Sequence, residues 1–271
     1  MAESKSLIEQ IESDLVVEEA KAEKKNQGKE KGKYIFIGIL LCLCFVGLAV
    51  MVGFRYLPKM QYNEAIKLVE EEKYKEATSK LNKISEYGNA SFLLESIYTH
   101  HPQYNLLNAE IGTLVTYGTY NQTDNISPIE WNVLAKSDDK VLLLSKHIID
   151  AKPYTDKDNA SFSLTQWLNG TFKDTAFGKA ESKSIAEVFL LNREQVESYV
   201  EGKEFAASAP TKYALDQDGY NEDYSGDYVW WTSEASSSRH YVIKPGGYSS
   251  SHVQEDTSVE GIRQAIWVSL E

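Results

Sequence analysis

Asp216–Ser233 reads DQDGYNEDYSGDYVWWTS: carboxylates, amides and tyrosines running into two adjacent tryptophans. If Val229–Ser233 is a strand, successive side chains point to opposite faces, so Trp230 and Trp231 separate. One ring then faces a core and the other the opposite side. The outward ring is either packed as well or free to stack on a sugar or a peptide, since an aromatic face suits an apolar ligand face. The polar run before it is either a solvated turn, favoured by Asp, Asn, Gly and Ser, or an irregular calcium loop built from Asp216, Asp218, Asn221 and Asp223. An EF-hand loop needs alternating oxygen ligands, then Gly, then a closing Glu. Starting at Asn221 supplies Asp223, Ser225 and Gly226 but closes on Thr232. Placing Gly219 at the glycine position puts Ala214 first. Neither frame closes.

The rest of the chain sets the context. It has 271 residues, 42% apolar and 25% charged, which affords an ordinary core. The net charge of -12 argues against nucleic-acid binding, which needs many cationic phosphate contacts. The only cysteines, Cys42 and Cys44, stand too close on one backbone to bridge each other, so the remainder folds without disulfides.

Residues 34–54 read YIFIGILLCLCFVGLAVMVGF, an uncharged stretch of 21 residues. As one helix it spans about 31 Å, enough for a hydrocarbon core of about 30 Å. No small-x-small cleavage site follows, and Leu41 stands where a lipoprotein cysteine needs a small residue. The expectation is therefore an uncleaved transmembrane signal anchor. Lys21, Lys24, Lys25, Lys29, Lys31 and Lys33 precede it, which puts residues 1–33 in the cytoplasm and the C-terminal part outside the cell membrane. The tail carries Leu7, Ile8, Ile11 and Leu15 at helical spacing. It is either a short amphipathic helix that docks a cytosolic signalling partner or a disordered acidic tail.

Residues 60–100 carry helical stripes: Ala65, Ile66, Leu68 and Val69, then Tyr74, Ala77, Leu81 and Ile84, then Phe92, Leu94 and Ile97. Tyr74 and Ala77 resemble the start of the second helix of a tetratricopeptide repeat. Only about one and a half units exist, fewer than the three a solenoid needs. A helical hairpin acting as a stalk is expected.

Strand signals follow at Thr113–Tyr117, Ile129–Leu134, Val141–Ser145, Tyr241–Ile243 and Ala265–Val268. Helical spacing appears over Ser163–Phe172, with Ser163 a candidate N-cap, and over Leu190–Val200. This is an α+β pattern whose terminal strands are candidates to pair. Arg239-His240 follows three serines and reads as a surface loop. Ser137-Asp138-Asp139-Lys140 fits S-x-x-K, but in a polar turn rather than on a helix that would aim the lysine. None of the five histidines forms a zinc motif.

Four ordered blocks carry a resemblance: PIEWNVL at Pro128–Leu134, WLNGTFKDTAF at Trp167–Phe177, WWTS at Trp230–Ser233 and GIRQAIW at Gly261–Trp267. Together they resemble an uncharacterised domain family of Gram-positive surface and secreted proteins, over residues 108–271. Its members tend to carry P-I-x-W-x-V-L, W-L-N-x-x-F, W-W-L-R-S and G-V-R-P-A-L-W. This chain departs at Thr232, where the family has Leu-Arg, and at Gln264, where it has Pro. Its closing pattern, from the Trp pair to Arg to the terminal Trp, is also similar to bacterial C-type-lectin-like domains. The resemblance implies location and fold more than function. The expectation is an extracellular binding or structural module, its ligand open between a glycan, a wall fragment and a protein. A wall-active enzyme and a signalling protein remain alternatives. Trp231, Arg239 and Asp216 are the candidate ligand-binding residues, and Asp216, Asp218, Asn221 and Asp223 the candidate calcium ligands.

Overall fold

The computed structural model describes residues 21, 36–206, 208–222, 228–244 and 253–271. Its chain divides into two units, Met1–Asn63 and Glu64–Glu271.

In the first unit the apolar stretch forms helix α1, described over residues 36–51, whose side chains are exposed. The helix does not continue as α-helix through Phe54. Val52–Tyr56 is a π-helical turn, and Leu57–Glu70 follows as the polar helix α2. No helix among the described residues is long and apolar enough to cross a membrane, which corrects the expectation of a transmembrane span over residues 34–54. The tail before it lies outside the described residues, apart from Lys21.

The second unit is α+β. Helices α3 (Tyr74–Asn82) and α4 (Ala90–His100) form an antiparallel pair that buries Ala77, Leu81, Leu94 and Ile97. His101 caps α4, and its ring stacks on Tyr74 at 4.0 Å. One lysine of α3 reaches the rest of the unit, and a lysine of β2 holds the segment that follows α4. Lys75 Nζ donates to Asp138 O at 2.5 Å, and Lys136 Nζ donates to Ala109 O at 2.9 Å.

Among the described residues ten strands make two five-stranded sheets. The first contains β1 (Leu114–Asn121), β2 (Ile126–Lys136), β3 (Lys140–Ser145), β5 (Ile185–Phe189) and β10 (Ala265–Ser269), in the order β1-β2-β3-β10-β5, all antiparallel. The second contains β4 (Asp150–Lys152), β6 (Trp230–Ser236), β7 (Arg239–Ile243), β8 (Val253–Glu255) and β9 (Glu260–Ile262), in the order β4-β9-β6-β7-β8. Its β6–β9 contact, Trp230 to Gly261, is parallel. The last strand does not pair with the first. It enters between β3 and β5.

Between β4 and β5 lie three short helices, α5 (Leu164–Trp167), α6 (Lys173–Ala176) and α7 (Lys179–Ser182), with a π-helical turn at Leu168–Phe172 joining the first two. Ser163 occupies the N-cap of α5, but its side chain makes no capping bond. Helix α8 (Arg193–Tyr199) is better capped. Asn192 accepts from Gln195 N–H at 2.8 Å, and Gln195 accepts from Asn192 N–H at 2.9 Å. Helix α9 (Lys212–Leu215) has Thr211 as its cap.

The VLLL run of β3 is continuously apolar because both faces of its sheet are covered. Val141 and Leu143 enter one core with Trp131, Phe172, Ile266 and Val268. Leu142 and Leu144 enter a second with Leu191, Val196 and Ala265. The second sheet contributes to both in the same way, sending Trp231 and Val242 to the first and Trp230 and Ile243 to the second. The register of β1 slips between Thr116 and Thr119, at Gly118. Its φ of +71° suits glycine, and a Cβ there would stand 2.6 Å from Ala176 O and from the Phe177 ring.

Candidate functional site

Strand β6 places Trp231 fully inside the first core, with its indole N–H donated to Lys152 O at 2.9 Å. The ring has no face left for a ligand. Two groups of polar side chains stand on the strands around it.

The first group centres on Asp150, which is fully buried on edge strand β4. Its Oδ2 accepts from the Tyr120 hydroxyl at 2.6 Å. Its Oδ1 accepts from Ala151 N–H at 2.7 Å and lies 3.4 Å from Lys152 Nζ. Burial raises the Asp150 carboxyl above its ordinary range, and the nearby Lys152 and the Tyr120 bond only partly offset this. Burial and the neighbouring carboxylate both push the Tyr120 hydroxyl up. Lys152 Nζ also sits 4.9 Å from the centroid of the Trp167 ring, a cation–π arrangement.

The second group centres on His240. Its Nδ1 is 2.7 Å from Asp256 Oδ1. A carboxylate only accepts, so the Nδ1 proton is donated and a neutral ring carries its lone pair on Nε2. Tyr154 stacks flat on the imidazole, with centroids 3.4 Å apart and planes 13° apart, and meets Trp231 edge-on at 5.7 Å. Burial pushes the Tyr154 hydroxyl up. Asp256 is itself held, because its O accepts from Thr155 N–H at 2.9 Å and its N–H donates to Ser238 O at 3.3 Å. Both groups therefore rest on main chain fixed by paired strands, which is what orients a binding or acid–base side chain.

The other candidate positions lie apart from this cluster. Arg239 opens β7 and donates from Nε to Glu255 at 2.6 Å, so its guanidinium is engaged at the surface. Asp216 is the exposed C-cap of α9, and Asp218 and Asn221 are exposed in the following turn, where Asn221 Nδ2 donates to Gly219 O at 3.2 Å. Asp223 lies outside the described residues. Among the described residues no three His, Cys, Asp or Glu side chains converge as a metal set. Ser137 donates to Asp139, and Lys140 lies 4.8 Å from the centroid of the Trp267 ring, so the S-x-x-K residues serve other partners.

Arg239-His240 is not a surface loop but the start of β7, and it turns His240 inward. Sequence reading missed His240, Asp256, Tyr154, Asp150 and Lys152 as a group. The signal available was alternation: His240 and Val242 share a face of one strand, and Val242 is apolar. A cleft of about 290 Å³ beside β1, lined by Leu106, Leu114, Thr116 and Glu130, is a weaker candidate because Glu130 is paired with Lys146 at 2.9 Å. Of the departures from the family blocks, Thr232 is buried with its hydroxyl donated to Tyr241 O at 2.8 Å, and Gln264 is fully buried.

No protein-family model, no curated protein and no solved structure matches the chain.

Proposed function

We propose that the two-sheet region is a binding module whose recognition ledge is formed by Lys152, Tyr154, Trp167 and His240. The observation that carries this is the His240 imidazole, fixed at Nδ1 by Asp256 and flat against Tyr154. A cation–π pair from the same strand–helix corner adds to it. Partly buried polar groups beside aromatic rings are the usual make-up of a site for a small polar ligand. A glycan or a wall fragment fits aromatic rings set beside polar groups, because an aromatic face suits the apolar face of a sugar.

The test is retention of the full chain on purified wall polymer. Wild-type protein is expected to be retained, and Lys152→Ala, Trp167→Ala and His240→Ala each to lose about tenfold in affinity, or about 1.4 kcal/mol. Equal retention of all four proteins, or of none, would overturn the reading.

The Asp256–His240 pair also favours a second reading, that of a wall-active hydrolase using the imidazole as a general base. Release of soluble fragments from wall polymer, lost in His240→Gln, separates this from binding alone.

A further inference from the structure

The two edges of the first sheet differ. On the outer edge of β5, Asn169 accepts the Val188 N–H and donates to Val188 O, both at 2.9 Å, and Lys173 Nζ donates to Ile185 O at 2.7 Å. Side chains thus close that edge. β1 is the opposite edge, and Glu181 closes its second half by accepting the Gly118 N–H at 3.0 Å. The register decides which groups the first half turns outward. Val133 N–H donates to Thr113 O at 3.0 Å, and Lys146 N–H donates to Glu130 O at 2.9 Å. Glu130 therefore turns its main chain to β3, and Trp131 turns its own to β1. Hydrogen-bonded pairs alternate along an antiparallel ladder, so Val115 exchanges bonds with Trp131 while Leu114 and Thr116 direct N–H and C=O away from the sheet. Among the described residues no hydrogen bond from elsewhere in the chain reaches these four groups.

The surroundings are apolar. The cleft of about 290 Å³ lies between the 3₁₀ helix Pro102–Asn108 and this stretch, and Leu106, Leu114 and Val115 line it. Leu114 is 49% exposed, and Ile111 just before the strand is 66% exposed. The Glu130–Lys146 pair weakens the cleft for an ionic ligand but leaves main-chain pairing untouched. An open apolar edge is a feature that folded chains otherwise cover, and a peptide can add to it as a further strand. Main-chain bonds then hold the peptide, and alternate side chains enter the groove.

We propose that the β1 edge at Leu114–Thr116 docks an extended segment of a partner protein. The segment pairs with the outward groups of Leu114 and Thr116 and sets an apolar side chain in the cleft. The net charge of -12 disfavours a second copy as occupant and favours a segment that also carries Lys or Arg. A second copy would also bring its own Pro102–Asn108 helix to the shared edge. The proposal does not depend on the ledge around His240.

The probe is a phage-displayed library of random linear octapeptides, panned on the full chain. Enriched sequences are expected to alternate apolar residues and to include Lys or Arg. A synthetic copy of one should slow amide exchange at Leu114 and Thr116 by about tenfold or more. N-methylation of its alternate amides should weaken binding about tenfold. Thr116→Pro removes an outward donor and no bond to β2, and should weaken binding to the same degree. The exchange and N-methyl measurements use wild-type protein, so they stand even where the proline variant does not fold. A library that enriches nothing would overturn the proposal, as would a bound peptide that leaves exchange at Leu114 and Thr116 unchanged. A dimer of the full chain that Thr116→Pro dissolves would assign the edge to a second copy and overturn it as well.

Discussion

The indole N–H of Trp231 reaches the main-chain oxygen of Lys152 at 2.9 Å. The two residues lie on strands that flank β9, so one side chain ties the middle of the second sheet to its edge. Trp231→Phe retains most of the apolar area but leaves Lys152 O without its donor. A loss of about 1–2 kcal/mol is expected. Trp231→Ala should cost about 3–5 kcal/mol, because a buried cavity adds to the lost burial. Urea unfolding of both variants measures the difference.

Asp150 predicts a pH signature. Its carboxyl is raised in the folded state by burial. A raised acid contributes stability that is fully present below its unfolded value and is lost as pH rises through the folded one. Asp150→Asn removes that contribution. Wild type should gain on the variant as pH falls from 7 toward 4, in unfolding curves taken at each pH. A gap that stays constant would show that the carboxyl titrates as in the unfolded chain.

Gly261 lies where β9 runs beside Trp230. A Cβ there would stand 2.7 Å from Ile148, from the Tyr220 hydroxyl and from Val229 O. Val229 O also accepts the Gly261 N–H at 3.1 Å, so it cannot withdraw without losing a bond. Gly261→Ala is expected to cost about 1–3 kcal/mol by overpacking, read as a lower denaturation midpoint with an unchanged slope.

The His240–Asp256 pair sets a tautomer. In wild-type protein at a pH where the ring is neutral, nitrogen NMR should find the proton on Nδ1. Asp256→Ala should shift the ring toward the Nε2–H form while the melting curve remains cooperative. A wild-type ring already in the Nε2–H form would remove the basis for the recognition ledge.

Much of the fold was legible in the sequence, and the reasons it failed elsewhere are physical. VLLLS reads as a buried strand because four apolar residues in a row need cover on both faces, and they have it. The tryptophan pair follows strand alternation. The β6–β7 hairpin was hidden because its turn is Ser237-Ser238, with Ser237 at φ +60°. Tight hairpin turns ordinarily announce themselves with Gly or Asn, and without that signal His240 passed for a loop residue. Asp256 was illegible for a different reason, since pairing across a long connection fixes its register. The apolarity of residues 34–54 was plain, but composition does not reveal a π turn. The polar ledge draws on β4, α5, β7 and the turn after β8, and no local pattern joins those four.

Trp230 and Trp231, neighbours on one strand, anchor two different interiors, so that strand is a party wall. Opening either interior exposes a large ring on the strand that also holds the other's. Melting should therefore be a single event, and neither half is expected to survive trimming as an independent miniature.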